Sequence, residues 1–292
     1  MLIHRHEKID IKLFGLFSLF IYLSYILNNM PINRLLPVGS FYPKMKLLNW
    51  IPKNKLNWDI LSKMPNAIDL LKTNPEKINW DLLSFNPNGI PLLKANFEKI
   101  NWKNISANPN GISLLQTNPE KINWDMLSTN PNGISLLQSN PEKINWVLLL
   151  FNPNAIHMIE SKKNLGYLDI YCLSSNPNAI HILIKYFDKI NWYNLSANPN
   201  GIPLLKSNPE KIYWPTLSSN PNGIPLLKSN PEKIYWPNLS SNPNGIHLLK
   251  ANFEKINWFW LSTNPSIFEF DTQNTQIQLK NKANSIDWVY KN

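Results

Sequence analysis

The chain has 292 residues, 43% of them hydrophobic, with 12 Trp, 24 Pro, only 9 Gly and a formal net charge of +10. A single cysteine, Cys172, excludes an internal disulfide framework. The charge is uneven: residues 1–58 hold 8 Lys/Arg against 2 acidic residues, and the other 234 carry 21 against 17, so most of the chain lacks the basic stripe that nucleic-acid binding needs.

Residues 1–12 read as an N-terminal tail. Residues 13–27, LFGLFSLFIYLSYIL, contain no charge. As a helix this run spans about 22 Å, short of the roughly 30 Å hydrocarbon core of a bilayer. Extended over residues 13–30, with Lys12 snorkelling at its edge, it is expected to be a hydrophobic helix and a candidate membrane anchor. NNMPINR, which follows, offers no small-residue cleavage site. Arg34, Lys44 and Lys46 after the segment favour a membrane-anchored protein with its repeats in the cytoplasm. Met45 is an alternative start, which would leave residues 1–44 untranslated and the protein cytoplasmic. Residues 31–48 read as a linker.

From residue 49 the chain repeats. Trp58, Trp80, Trp102, Trp124 and Trp146 are 22 residues apart, as are Trp192, Trp214, Trp236 and Trp258. The one longer step, from Trp146 to Trp192, holds a unit in which Ile170 takes the Trp position and two extra residues fall within 161–167. Ten units therefore cover 49–268, and 269–292 remain as a C-terminal cap or tail. The unit reads N-P-E-K-I-N-W-x-x-L-S-x-N-P-N-G/A-I-x-L-L-K-x.

Apolar spacings of three and four, such as Ile78–Leu82, Trp80–Leu83 and Ile90–Leu93, predict short helices rather than strands. Proline is harmless only in a helix's first turn. Pro215 and Pro237 directly after Trp, and Pro91, Pro203 and Pro225 after the Ile of N-P-N-G-I, therefore fix two helix starts per unit. In the second unit the helices are expected near 79–86 and 88–95, capped by Asn79 and Asn88, with N-P-E-K as a further 3₁₀ turn capped by Asn74. Ala67, Ala155 and Ala179 replace the Gly of N-P-N-G, so that position is expected to be right-handed. Helices this short are unstable alone, and one unit cannot bury its own Trp, Ile and Leu. Stacked copies can. The expectation is an all-α, monomeric, elongated solenoid with no sheet, its Trp ladder (Trp80, Trp102, Trp124, Trp146, Trp192, Trp214, Trp236, Trp258) largely buried between units.

The phrase LSSNPNGIPLLKSNPEKI resembles leucine-rich variant repeats, which pair one α-helix with one 3₁₀ helix. That resemblance implies an α/3₁₀ superhelix, although those units are about two residues longer and lack the I-N-W element. The whole unit, NPNGIPLLKSNPEKINW, also resembles 22-residue repeat proteins of giant, mimivirus-like DNA viruses. This second likeness covers roughly 56–268, implies a viral protein in a host cell, and brings no activity with it.

Candidate chemistry is sparse. No Gly-rich phosphate loop, paired-carboxylate cleft or Ser/His/Asp set is present. His157, His181 and His247 share one repeat position and, with no Cys or carboxylate partners expected to converge on them, read as exposed variable sites rather than metal ligands. Glu76–Lys77, Glu120–Lys121 and Glu232–Lys233 read as a solvated, self-neutralising face. The informative positions vary within a constant frame: Asp81, Lys103, Val147, Tyr193, Pro215 and Phe259 after Trp, and Asp69, Pro91, Ser113, His157, Pro203 and His247 after the N-P-N-G/A-I Ile. That pattern is how solenoids present a binding surface. The expected function is non-catalytic protein–protein interaction without cofactor or metal; nucleic-acid binding is the alternative. The irregular sixth unit is expected to be a hinge, and Lys162, Lys163 and Tyr167, with His157 and His181, are the candidate partner contacts.

Overall fold

The computed structural model describes residues 44–161 and 165–273, which belong to one compact unit, Pro43–Asn292. The expected helix at 13–30, most of the 31–48 linker, Lys162, Lys163 and the tail beyond 273 lie outside the described residues.

The second repeat shows the local logic. A 3₁₀ turn, Pro75–Lys77, leads to a first helix, Trp80–Leu83; a second 3₁₀ turn, Pro87–Gly89, leads to a second helix, Ile90–Ala95. Asn79 caps the first helix as expected, its side-chain oxygen accepting from the Leu82 amide at 3.1 Å. Pro91 and Pro215 sit at the second helical position of Ile90–Ala95 and Trp214–Ser219. The Gly/Ala position is right-handed, with φ −77° at Gly89 and −84° at Ala67.

Two expected caps are corrected. Asn86, not Asn88, caps the Pro87 turn, accepting from the Asn88 amide at 2.9 Å. Asn74 caps nothing; its Nδ2 instead donates backward to the Leu70 carbonyl at 2.8 Å and closes the end of the preceding helix.

The units are locked together by two buried polar ladders. Asn86 Nδ2 donates to the carbonyls of Ser62 at 3.0 Å and Met64 at 2.8 Å in the preceding unit. Asn108, Asn130, Asn152, Asn176, Asn198, Asn220, Asn242 and Asn264 each bridge to the preceding unit in the same way. The second ladder runs through serine: Ser62 Oγ donates to the Trp58 carbonyl at 2.9 Å and accepts from the Asn79 amide at 3.0 Å. Both residue types are fully buried, so each bond replaces water that the backbone would otherwise lack. Around them pack the leucines of both helices, among them Leu61, Leu83, Leu93, Leu115 and Leu127, all at 0% exposure.

The chain is the expected all-α repeat solenoid, but its expected elongated form is corrected by the chain ends: the ten units close into a ring. The Asn57 amide of the first unit donates to Ser262 Oγ of the last at 2.9 Å, and Asn66 Nδ2 donates to the Pro265 carbonyl at 3.1 Å. The first two units are joined by the same pair of bonds, Asn79 N to Ser62 Oγ and Asn88 Nδ2 to Pro65 O. Where the second helix of the last unit would begin, directly after the turn Pro265–Ile267, a strand runs instead and pairs with another. Strand β1 (Met45–Leu47) comes from the stretch expected to be linker, and β2 (Phe268–Phe270) from the other end; they pair antiparallel, Lys46 opposite Glu269. This clasp also corrects the expectation of no sheet. Neighbouring first helices mostly pack more closely on one another than neighbouring second helices do. In a closed ring the closer-spaced layer faces the axis, so the Trp helices lie inside and the Ile-Leu-Leu helices outside.

The Trp ladder is half-buried rather than largely buried, and Trp146 is 38% exposed. Lysine from the next unit covers the indole instead: Lys77 over Trp58 at 4.7 Å, Lys99 over Trp80 at 4.3 Å, Lys143 over Trp124 at 4.5 Å. Lys77, Lys143 and Lys233 of N-P-E-K therefore serve the stack, which corrects the reading of Glu76–Lys77 and Glu232–Lys233 as a self-neutralising face; Lys121 lies over no indole.

Nor does the described part of the sixth unit look like a hinge. Ile170 is fully buried, and Asn176 carries the asparagine ladder through, donating to Leu150 O at 2.8 Å and Asn152 O at 3.2 Å. Only the serine ladder breaks, where Leu150 replaces Ser. Asp169 restores a cap by accepting from the Gly166 amide at 2.8 Å.

Candidate functional site

The residue after Trp points away from the core at the start of each inner helix, beside the helix-capping residue of the next unit. The two touch: Asn79 Nδ2 donates to Asp59 Oδ1 at 2.9 Å, Asn101 to Asp81 at 2.9 Å, and Asn145 to Asp125 at 2.9 Å. At Tyr213, which takes the place of a capping Asn, the contact is aromatic, with Tyr193 and Tyr213 ring centroids 4.8 Å apart. These positions line one rim of the stack.

In ring order the position reads Asp59, Asp81, Lys103, Asp125, Val147, Tyr171, Tyr193, Pro215, Pro237 and Phe259. Four consecutive units are charged, and the next six are not. The uncharged arc is also aromatic and open to solvent: Tyr171, Tyr193, Tyr213, Tyr235, Phe259 and Trp260 are all exposed. Phe259 and Trp260 stand edge to face at 5.4 Å. Six of these ten positions, Asp81, Lys103, Val147, Tyr193, Pro215 and Phe259, are visible as variable in the sequence. The sequence does not show that closure makes one arc of them, because the order around a ring becomes a surface only when the last unit meets the first.

The other candidate contacts fall elsewhere. Tyr167 is 67% exposed at the start of the helix Tyr167–Leu173. His157 and His181 lie on the outer helices, each reaching the preceding unit: His157 Nε2 is 3.3 Å from Gln138 Nε2, and His181 Nε2 is 2.7 Å from Glu160 Oε1. Among the described residues no group of three His, Cys, Asp or Glu converges to hold a metal ion. Cys172 is buried, and its thiol pKa is raised, first by burial and then by Asp169.

Comparison with protein-family models, curated proteins and solved structures finds no match to the chain. Among the described residues no helix is long and apolar enough to cross a membrane.

Proposed function

We propose that this protein is a non-catalytic scaffold that binds another protein along the uncharged arc of its rim. One observation carries the reading: an exposed run of Tyr, Phe and Trp over five consecutive units of a hydrogen-bonded frame. Aromatic side chains supply large contact area with few rotatable bonds, and they are enriched where protein interfaces concentrate their energy. The frame keeps them ordered before binding, which lowers the entropic cost of association. The charged arc then excludes partners that the apolar arc alone would tolerate. In the same proposal, residues 13–30 supply a membrane tether.

A photo-crosslinking residue placed at Tyr193 should capture a discrete partner that the same residue at Asp81 does not. Changing Tyr213, Tyr235 and Phe259 together to Ser should abolish that capture while circular dichroism stays unchanged. Equal capture from both arcs would overturn the reading.

A further inference from the structure

The lysine cover of the tryptophans follows a rule, and two units break it. In four units whose 3₁₀ turn before Trp begins with Pro, the next unit's lysine sits on the indole: Lys99 over Trp80, Lys143 over Trp124, Lys233 over Trp214 and Lys255 over Trp236. Three units begin that turn with Phe instead. There Phe stands edge to face with its own Trp and makes a second aromatic wall: Phe97–Trp102 at 5.5 Å and 71°, Phe187–Trp192 at 5.5 Å and 77°, Phe253–Trp258 at 5.3 Å and 67°. The third box is filled. Lys55 Nζ lies 4.8 Å from the Trp258 ring and 5.7 Å from Phe253, with Trp50 packed against Phe253 at 6.3 Å.

The other two boxes have the same walls at nearly the same angles. Their Phe rings are solvent-exposed, 48% for Phe97 and 42% for Phe187. The lysines that could fill them, Lys121 and Lys211, are also exposed and lie over neither indole. Two electron-rich faces at an open angle attract a cation through the ring quadrupoles, most strongly one that is weakly hydrated. We propose that Phe97–Trp102 and Phe187–Trp192 are binding sites for an organic ammonium group, of the kind a lysine or methylated lysine side chain presents. The filled box at Lys55 is their internal precedent. This proposal stands apart from the rim reading, because it rests on different residues.

The test is titration of the full-length protein with choline, and separately with its neutral carbon isostere, read from the tryptophan indole N–H signals by NMR. Choline should shift the Trp102 and Trp192 signals and leave Trp80, already covered by Lys99, unmoved. Phe97→Pro restores the N-P-E-K turn; it should let Lys121 onto Trp102 and weaken choline binding there about tenfold, with Trp192 unaffected. Lys55→Ala should add a third responding signal, Trp258. A blocked lysine amide separates the two sources: a response to it as well as to choline assigns the boxes to unmodified lysine, and a response to choline alone assigns them to methylated ammonium. Equal shifts from the neutral isostere, or no shift at Trp102 and Trp192 with choline, would overturn the proposal.

Discussion

Ser262 Oγ, in the last repeat, accepts the backbone amide of Asn57, in the first, at 2.9 Å. Those residues are 205 apart in sequence, yet the bond is the one that Ser62 makes to Asn79 only 17 residues on. The chain ends are therefore ordinary neighbours, and the strand pair beside them works as a clasp. A direct check is Lys46→Cys with Glu269→Cys, since directly opposed strand residues lie about 4.5–5.5 Å apart at Cα, within disulfide reach. The pair should oxidise quantitatively to a crosslinked monomer. By loop-closure entropy it should stabilise the fold by up to about 5 kcal/mol. An open superhelix would give no intramolecular crosslink.

The asparagine ladder should dominate stability per residue. Asn130 Nδ2 donates to Ser106 O at 2.9 Å and Asn108 O at 2.8 Å, and all three residues are fully buried. Asn130→Ala would strand the Ser106 carbonyl, leave Asn108 O with the Gly111 amide alone and free the Asn132 amide, with an expected loss of about 3 kcal/mol. Asn132→Ala removes one exposed bond, to Pro109 O at 2.9 Å, and should cost about 1 kcal/mol or less. Urea denaturation of both variants measures the difference.

The period, the helix starts and the Asn79 cap were legible in the sequence because proline and the 22-residue interval act locally. Closure was not. It depends on a small rotation per unit, summed over ten units, and no single residue encodes that sum. The clasp strands were equally hidden, since Met45–Leu47 and Phe268–Phe270 acquire a partner only after the ring closes. The ladders left a trace that could have been read. Ser after Leu, and the first Asn of N-P-N, recur in nearly every copy while their neighbours vary, which is what buried side chains bonded to backbone require. The rim arc was half legible: its positions were visible as variable, its continuity was not.

Cys172 makes a pH prediction. Its folded thiol pKa is raised by burial and by Asp169, so the folded state keeps the proton while the unfolded thiol loses it. The resulting sign is a stability contribution present below the unfolded thiol's pKa and lost as pH rises past about 8.5. Stability of the wild type relative to Cys172→Ala should fall above that pH and be flat below it. Thiol reagents should react slowly until the protein is unfolded.

Lysine cover of the tryptophans predicts a charge effect without an ion pair. Lys143 Nζ lies 4.5 Å from the Trp124 ring. Lys143→Ala should cost about 0.5–1 kcal/mol, and Lys143→Arg, which keeps a cation over the ring, should cost little. Glu142→Ala, in the same turn, should stay within about 0.5 kcal/mol of wild type, as a surface substitution does. A larger effect from Glu142 than from Lys143 would return the pair to a simple acid–base face.

The sixth unit gives the sharpest test, because sequence and structure predict opposite signs. Read as a hinge loosened by loss of the indole, it should gain stability when its two extra residues are deleted and Ile170→Trp restores the ladder residue. In the ring Ile170 is fully buried, beneath a helix of seven residues, Tyr167–Leu173, that has its own cap in Asp169. The Trp of other units is only half-buried, its indole reaching out to meet a lysine. An indole at 170 would have to enter a space already filled by an aliphatic side chain. Overpacking of this kind costs about 1–3 kcal/mol. Ile170→Trp should therefore lower the thermal midpoint, while Ile170→Val should cost only about 1 kcal/mol. A rise in the midpoint with Ile170→Trp would mean that the unit has slack, and that the ring flexes there.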